Sequence, residues 1–260
     1  MARKRFGQHF LHDPGVIARI VSTLAPAHDD RLVEIGPGQG ALTTPLLERV
    51  KQLSVIEIDR DLVAELNRRA ETQPGLEVIE GDALRLDYAE LARARGGPLR
   101  LVGNLPYNIS SPLLFALLGY SQTITDMHFM LQKEVVDRMT APPGGRDYGR
   151  LSVGIAARAR AEHLFDVGPG AFSPPPKVMS AVVRLTPRPP AFAIDDIDLF
   201  DRMVTAAFSQ RRKTLRNALR AYLSADEIVA CDIEPTLRPE RLAASDFARL
   251  SNAAIARTER

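Results

Sequence analysis

Between residues 31 and 187, short apolar runs alternate with segments of helical period, and this alternation restricts the fold more than any other feature. Leu32-Val33-Glu34-Ile35 and residues 53–58, 76–79, 99–102 and 127–131 are four to six residues long, the length of buried strands. Residues 42–50 and 61–69, which lie between them, space their apolar side chains at helical intervals. Near-continuous apolar strands separated by helices call for a parallel sheet covered on both faces. Residues 181–185 follow a proline-rich loop and form one more apolar run. Thr186-Pro187-Arg188-Pro189-Pro190 reads as a linker, because prolines stiffen the chain and remove backbone donors. Beyond it, residues 199–208, 214–223 and 244–256 have helical spacing and no strand pattern is convincing. The expectation is an α/β domain over 1–187 followed by a small all-helical domain over 188–260.

Composition sets outer limits. A chain of 260 residues, 45% of them hydrophobic, can bury a sizeable core without staples. Its single cysteine, Cys231, excludes an internal disulfide framework and a cysteine-based zinc site. His9, His12, His28, His128 and His163 fall in no metal-ligand spacing, so no metal is expected. No apolar run approaches the ~20 residues of a membrane span. The basic start is not followed by the apolar stretch of a secretory signal, and the expected location is cytoplasmic. The net charge is only +2, but its distribution is uneven. Arg3, Lys4 and Arg5 form one basic segment; Arg211, Arg212, Lys213, Arg216 and Arg220 form another, with no acid between 202 and 222. Such segments serve as phosphate contacts in nucleic-acid binders and as plain solvated surface elsewhere. The spacing of Arg212, Arg216 and Arg220 would put them on one face of a helix.

Four motifs follow strands, where open parallel sheets bind ligands. Glu34-Ile35-Gly36-Pro37-Gly38-Gln39-Gly40-Ala41 lets backbone approach a ligand at a helix start; alone it fits a tight turn, NAD, FAD or S-adenosylmethionine. Glu57, nineteen positions after Gly38, is placed to accept both ribose hydroxyls of an adenosine-type cofactor, whereas Asp59 suits a helix cap. Asp82 and Ala83 follow the third run; Asp82 can accept from an adenine amine or cap a helix. Asn104-Leu105-Pro106-Tyr107 follows the fourth. The amino group of a nucleobase is a poor nucleophile because its lone pair is delocalised into the ring. The Asn104 side-chain oxygen and the Leu105 carbonyl can each accept one N–H and pull that nitrogen towards tetrahedral geometry. Pro106 constrains the turn, and Tyr107 offers a face for stacking. No nicotinamide chemistry needs this motif. Finally, Phe172 on the Ser173-Pro174-Pro175-Pro176-Lys177 loop could stack an extruded base or simply pack in the core.

Taken together, the motifs resemble the ribosomal RNA adenine N6,N6-dimethyltransferase family, and its bacterial small-subunit members most closely. The resemblance is carried by residues 5–11, 34–38, 104–110, 130–134, 148–152, 172–178 and 210–215, and so spans almost the whole chain. It implies a Rossmann-like class I methyltransferase with a mostly parallel seven-stranded sheet whose last-formed strand is antiparallel, plus a helical C-terminal domain. It also implies S-adenosylmethionine as cofactor, contacted at His9, Leu11, Gly36, Gly38, Glu57, Asp82, Ala83 and Asn104. The substrate implied is a pair of adjacent adenosines near the 3′ end of small-subunit rRNA, presented by an assembling 30S subunit to a monomeric enzyme. His9 stands where the family pattern has Asn. Two other readings remain open at this point: a non-enzymatic binding or assembly role, and methylation of large-subunit rRNA.

Overall fold

Nine strands occur among the residues described by the computed structural model, which are 9–107, 109–209 and 213–258. They are β1 Phe10–Leu11, β2 Leu32–Ile35, β3 Leu53–Glu57, β4 Leu76–Glu80, β5 Leu99–Asn104, β6 Ile124–Gln132, β7 Ala159–Val167, β8 Phe172–Ser173 and β9 Ser180–Pro187. Seven of them form one sheet in the order β4-β3-β2-β5-β6-β9-β7. The pairings among β4, β3, β2, β5 and β6 are parallel, and β9 runs antiparallel to β6. This is the α/β sheet expected, with an antiparallel last strand. Every residue of β2 and β3 is buried, which is why both read as continuous apolar runs.

Helices return the chain between the parallel strands. Pro14–Leu24 starts at Asp13, whose carboxylate accepts from Val16 N at 2.9 Å. Arg60–Ala70 starts at Asp59, which accepts from Asp61 N at 3.0 Å. Such caps satisfy donors that the first helical turn leaves unpaired, at about 1 kcal/mol each. The sheet has one unusually tight point. A Cβ on Gly103 would lie 2.3 Å from the Ile35 carbonyl oxygen, so β5 and β2 approach there more closely than any side chain allows. That contact brings Asn104 beside the Gly36 turn.

The chain divides into two units, residues 1–136 with 162–187, and residues 137–161 with 188–260. A continuous domain over 1–187 is therefore corrected: residues 137–161 belong with the helical unit. Tyr148, Val153 and Ala157 share a core with Phe200, Met203, Leu215 and Phe247. The Tyr148 hydroxyl donates to the Leu242 carbonyl at 2.8 Å, and Arg158 pairs with Asp201 at 2.6 Å. Two of the three helices expected in this unit occur at Ile197–Ser209 and Ala244–Thr258. The third is cut to Leu215–Ala218.

One buried side chain in the sheet leaves its polar atoms without a hydrogen bond among the described residues. His128 on β6 is 2% exposed, and neither ring nitrogen has a hydrogen-bond partner among the described residues. Burial is the main cause that pushes its pKa down to about 4; nearby Asp126 and Glu162 oppose the shift, while Arg100 and Arg184 add to it. The unfolded imidazole protonates near its ordinary pKa of about 6.5 while the folded one stays neutral. The unfolded state therefore binds more protons between these values, and His128 costs stability as pH falls from about 6.5 to 4, by up to about 1.4 kcal/mol per pH unit. Urea unfolding of wild type and His128→Leu at pH 7 and 5.5 tests this. The wild type is expected to lose more stability than the variant, and identical losses would refute the assignment.

Candidate active site

The carboxyl ends of β2, β3, β4 and β5 surround a cavity of about 370 Å³. Each strand contributes residues at or just past its end: Gly36 to Gln39, Glu57 and Ile58, Gly81 to Leu84, and Asn104 to Tyr107. The N-terminal segment, His9 to Leu11, supplies a further wall. It is held by pairing of β1 with β8, Phe10 opposite Ser173 and Leu11 opposite Phe172, and by His12 N donating to Ala171 O at 2.9 Å.

Gly38 sits in the left-handed region with φ 56°, and a Cβ there would meet the Phe10 ring at 3.1 Å. Only glycine takes this turn without strain. Glu57 is the last residue of β3 and 6% exposed. Its Oε1 accepts from Ile58 N at 2.8 Å and Asp59 N at 2.9 Å, and its Oε2 accepts from Gly38 N at 3.3 Å. Burial raises its pKa, and these three N–H groups pull it back. The backbone thus fixes both oxygens at the cavity wall and leaves lone pairs for hydroxyl donors. Ile58, 50% exposed, and Leu84 are apolar groups on the same lining and offer flat contact for a heteroaromatic ring. Asp82 lines the cavity while its Oδ1 accepts from Leu84 N at 3.0 Å. Ala83 is buried beside it.

Asn104 ends β5. Its Nδ2 donates to the His9 carbonyl at 2.9 Å, and no described residue donates to its Oδ1. The contact at position 9 is therefore made by main chain, which any residue type supplies. The imidazole of His9 does something else: its Nδ1 lies 2.8 Å from Pro174 O and its ring 5.8 Å from the Tyr107 ring. Leu105 is buried, with its N–H donating to Met130 O at 3.1 Å. Tyr107 is half-buried, lines the cavity with Pro106, and shares a hydrogen bond with Ser180 Oγ at 2.8 Å. Burial raises the pKa of its phenol.

Glu34 lines the cavity too, and sequence reasoning assigned it no role. It is fully enclosed in β2, and Thr43 Oγ1 donates to its Oε2 at 2.6 Å. Burial raises its pKa to about 7, with Glu57 adding to the shift. The signal was a carboxylate inside an apolar strand.

Some expected residues lie elsewhere. Phe172 is 2% exposed, packed in the first unit's core with Leu11, Phe165 and Val182, and it does not line the cavity. Its strand pairs with β1, which turns the ring inward, so it is withdrawn as a stacking face. The single basic helix face is also corrected. Arg216 lies in the short helix but Arg220 lies in the turn after it, because the chain ends the helix at Ala218. Lys213, Arg216 and Arg220 are exposed. Arg3, Lys4, Arg5, Arg211 and Arg212 lie outside the described residues. Among the described residues no group of His, Cys, Asp and Glu could hold a metal ion, and no helix is long and apolar enough to cross a membrane.

Comparison with known proteins matches this geometry to a set of relatives. A family model described as ribosomal RNA adenine dimethylase matches residues 1–255. Ribosomal RNA small subunit methyltransferase A of Pseudomonas aeruginosa is 55% identical over 252 residues, which cover 96% of this chain and 94% of the relative. The protein of the same name from Hydrogenovibrio crunogenus is 53% identical over 254 residues, covering 96% and 95%. Among solved structures, a dimethyladenosine transferase from Plasmodium falciparum superposes with TM-score 0.77 at 27% identity, covering 93% of this chain and 96% of that one. The 23S rRNA methyltransferase ErmE gives TM-score 0.72 at 27% identity, covering 95% and 99%. The chain belongs to the ribosomal RNA adenine dimethylase family.

Proposed function

We propose that the protein transfers methyl groups from S-adenosylmethionine to N6 of two adjacent adenosines near the 3′ end of small-subunit rRNA. The observation that carries the reading is Asn104. Its amide nitrogen is anchored by the His9 carbonyl, and its Oδ1, which no described residue engages, stands at the wall of a cavity that also holds the Glu57 carboxylate. The residues present suit the cofactor. Glu57 accepts from the ribose hydroxyls, Asp82 from the adenine amine, and Ile58 and Leu84 face the adenine ring. Gly36, Gly38, Ala83 and the His9–Leu11 segment complete the wall.

S-adenosylmethionine, when bound, supplies an electrophilic methyl group on a sulfonium. The protein's part is positioning and fixed dipoles. Asn104 Oδ1 and the Leu105 carbonyl each accept one N6–H and turn the nitrogen lone pair away from the ring. Tyr107, steadied by Ser180, stacks the target base, and Pro106 fixes the turn between them. The alkylated nitrogen is strongly acidic, so water takes its proton and no carboxylate base is needed. Arg3, Lys4, Arg5, Arg211, Arg212, Lys213, Arg216 and Arg220 contact rRNA phosphates. The enzyme works as a monomer in the cytoplasm on an assembling 30S subunit.

The likeness to ErmE raises the large subunit as the other substrate, while the far higher identity to relatives named for the small subunit supports the reading given. Incubation with labelled S-adenosylmethionine and separately purified small and large subunits decides between them. Label is expected in small-subunit rRNA as N6,N6-dimethyladenosine; label confined to the large subunit would contradict the proposal.

A further inference from the structure

A second cavity, of about 330 Å³, opens at the opposite end of the sheet, around the amino ends of β2 and β3. That is the size of a small-ligand cleft. Its lining is mostly polar and charged: Arg31, Lys51, Gln52 and Arg95 on one side of the ledger, Asp29 and Asp30 on the other. One of the two acids is already engaged. Asp30 pairs with Arg100 at 2.5 Å and accepts from Ala27 N at 2.8 Å. Asp29, largely in solvent, lies 3.1 Å from His28 Nδ1. Arg95 is engaged as well, with Glu77 and Ser54.

Two cations are left. Arg31 spends its Nε on the Arg95 carbonyl at 2.8 Å, and no carboxylate among the described residues pairs with its two Nη groups. Its guanidinium is held flat against the chain at Gly97, where a Cβ would lie 2.8 Å from the guanidinium carbon. Lys51 lines the same cavity and has no side-chain partner among the described residues. Gln52 adds an amide donor. A fixed guanidinium fork and a neighbouring ammonium, facing a recess with few apolar walls, suit an oxyanion.

We infer that this recess is a phosphate-binding site, with Arg31 and Lys51 as its ligands. The choice of phosphate over carboxylate rests on the proposed action on RNA; the anion site itself does not. The phosphate comes either from the rRNA backbone or from a free phosphate-bearing ligand. Because the recess lies at the other end of the strands from the Glu57 cavity, its occupant is not the methyl acceptor.

The test is an NMR titration of the full chain with inorganic phosphate at constant ionic strength, following Arg31 Nε–H and the Gln52 side-chain amide, with acetate as control. Saturable shifts are expected with phosphate, and weaker ones with acetate. Arg31→Gln should abolish the shifts of the Gln52 amide, and Lys51→Gln should weaken affinity about tenfold. Arg31 packs against Gly97 and its variant is open to misfolding, whereas Lys51 is exposed and its variant keeps the test valid. In a second arm, small-subunit binding is measured against salt. A slope about 0.7–0.9 less steep in Lys51→Gln assigns the phosphate to rRNA. An unchanged slope in Lys51→Gln, with saturable phosphate shifts in the wild type and weakened ones in the variant, assigns it to a free ligand. Shifts that fail to saturate, equal shifts with acetate, or full phosphate affinity in Lys51→Gln would overturn the inference. Methylation is read separately and bears only on the proposed function.

Discussion

Glu57→Ala is expected to weaken S-adenosylmethionine binding about a hundredfold in calorimetry. Two ribose hydroxyls lose a charged acceptor, and each hydrogen bond to a charged group contributes roughly 1.5–3 kcal/mol. The substitution also strips the acceptor from Ile58 N, Asp59 N and Gly38 N, so part of the loss comes from a loosened wall. Glu57→Gln separates the two effects. Glutamine keeps one oxygen to accept from Ile58 N and Asp59 N but removes the charge and the second acceptor, and a loss nearer tenfold is expected. The following helix should persist in both variants, because Asp59 caps it independently. Unchanged affinity in both would remove Glu57 from the site.

Why Glu57, Asp82 and Asn104 were legible is a matter of topology. In a parallel sheet the ligand-binding loops sit at the carboxyl ends of strands, so a polar residue that closes an apolar run is already placed. β2 and β3 are buried on both faces and announce themselves as apolar runs, and β5 is buried except at Arg100 and Asn104. β7 was missed for the converse reason. Arg160, Glu162, His163 and Asp166 interrupt it at the edge of the sheet, and its pattern does not read as a core strand.

Long-range pairings left no local mark. β1 is two residues long and is held by β8, and His9 meets Pro174 at a separation of 165 residues. The same pairing buries Phe172, whose loop context alone suggested a free ring. The position 9 contact was illegible by its nature, since a carbonyl that anchors Asn104 has no residue-type signature. Residues 137–161 lie between strands in sequence, so they read as part of the sheet domain; Tyr148 and Val153 place them in the helical core instead. The Arg212, Arg216 and Arg220 spacing assumed an unbroken helix, but the helix ends at Ala218 and leaves Leu219 and Leu223 to pack in that core.

The most direct test is single-turnover methylation of purified small subunits by Asn104→Ala at saturating S-adenosylmethionine. The variant loses the Oδ1 acceptor for N6–H but keeps the Leu105 carbonyl, and it frees the His9 carbonyl at the cavity wall. Losing one pre-organised group at a reacting centre costs about 10²–10³ in rate. Saturating cofactor is required because Asn104 also lines the cavity proposed to hold the cofactor. Subunit binding, measured in parallel, should persist, since the proposed phosphate contacts lie elsewhere in the chain. The predicted result is a protein that docks on the subunit and methylates it about 10²–10³ times more slowly. Methyl transfer at near the wild-type rate would contradict the mechanism.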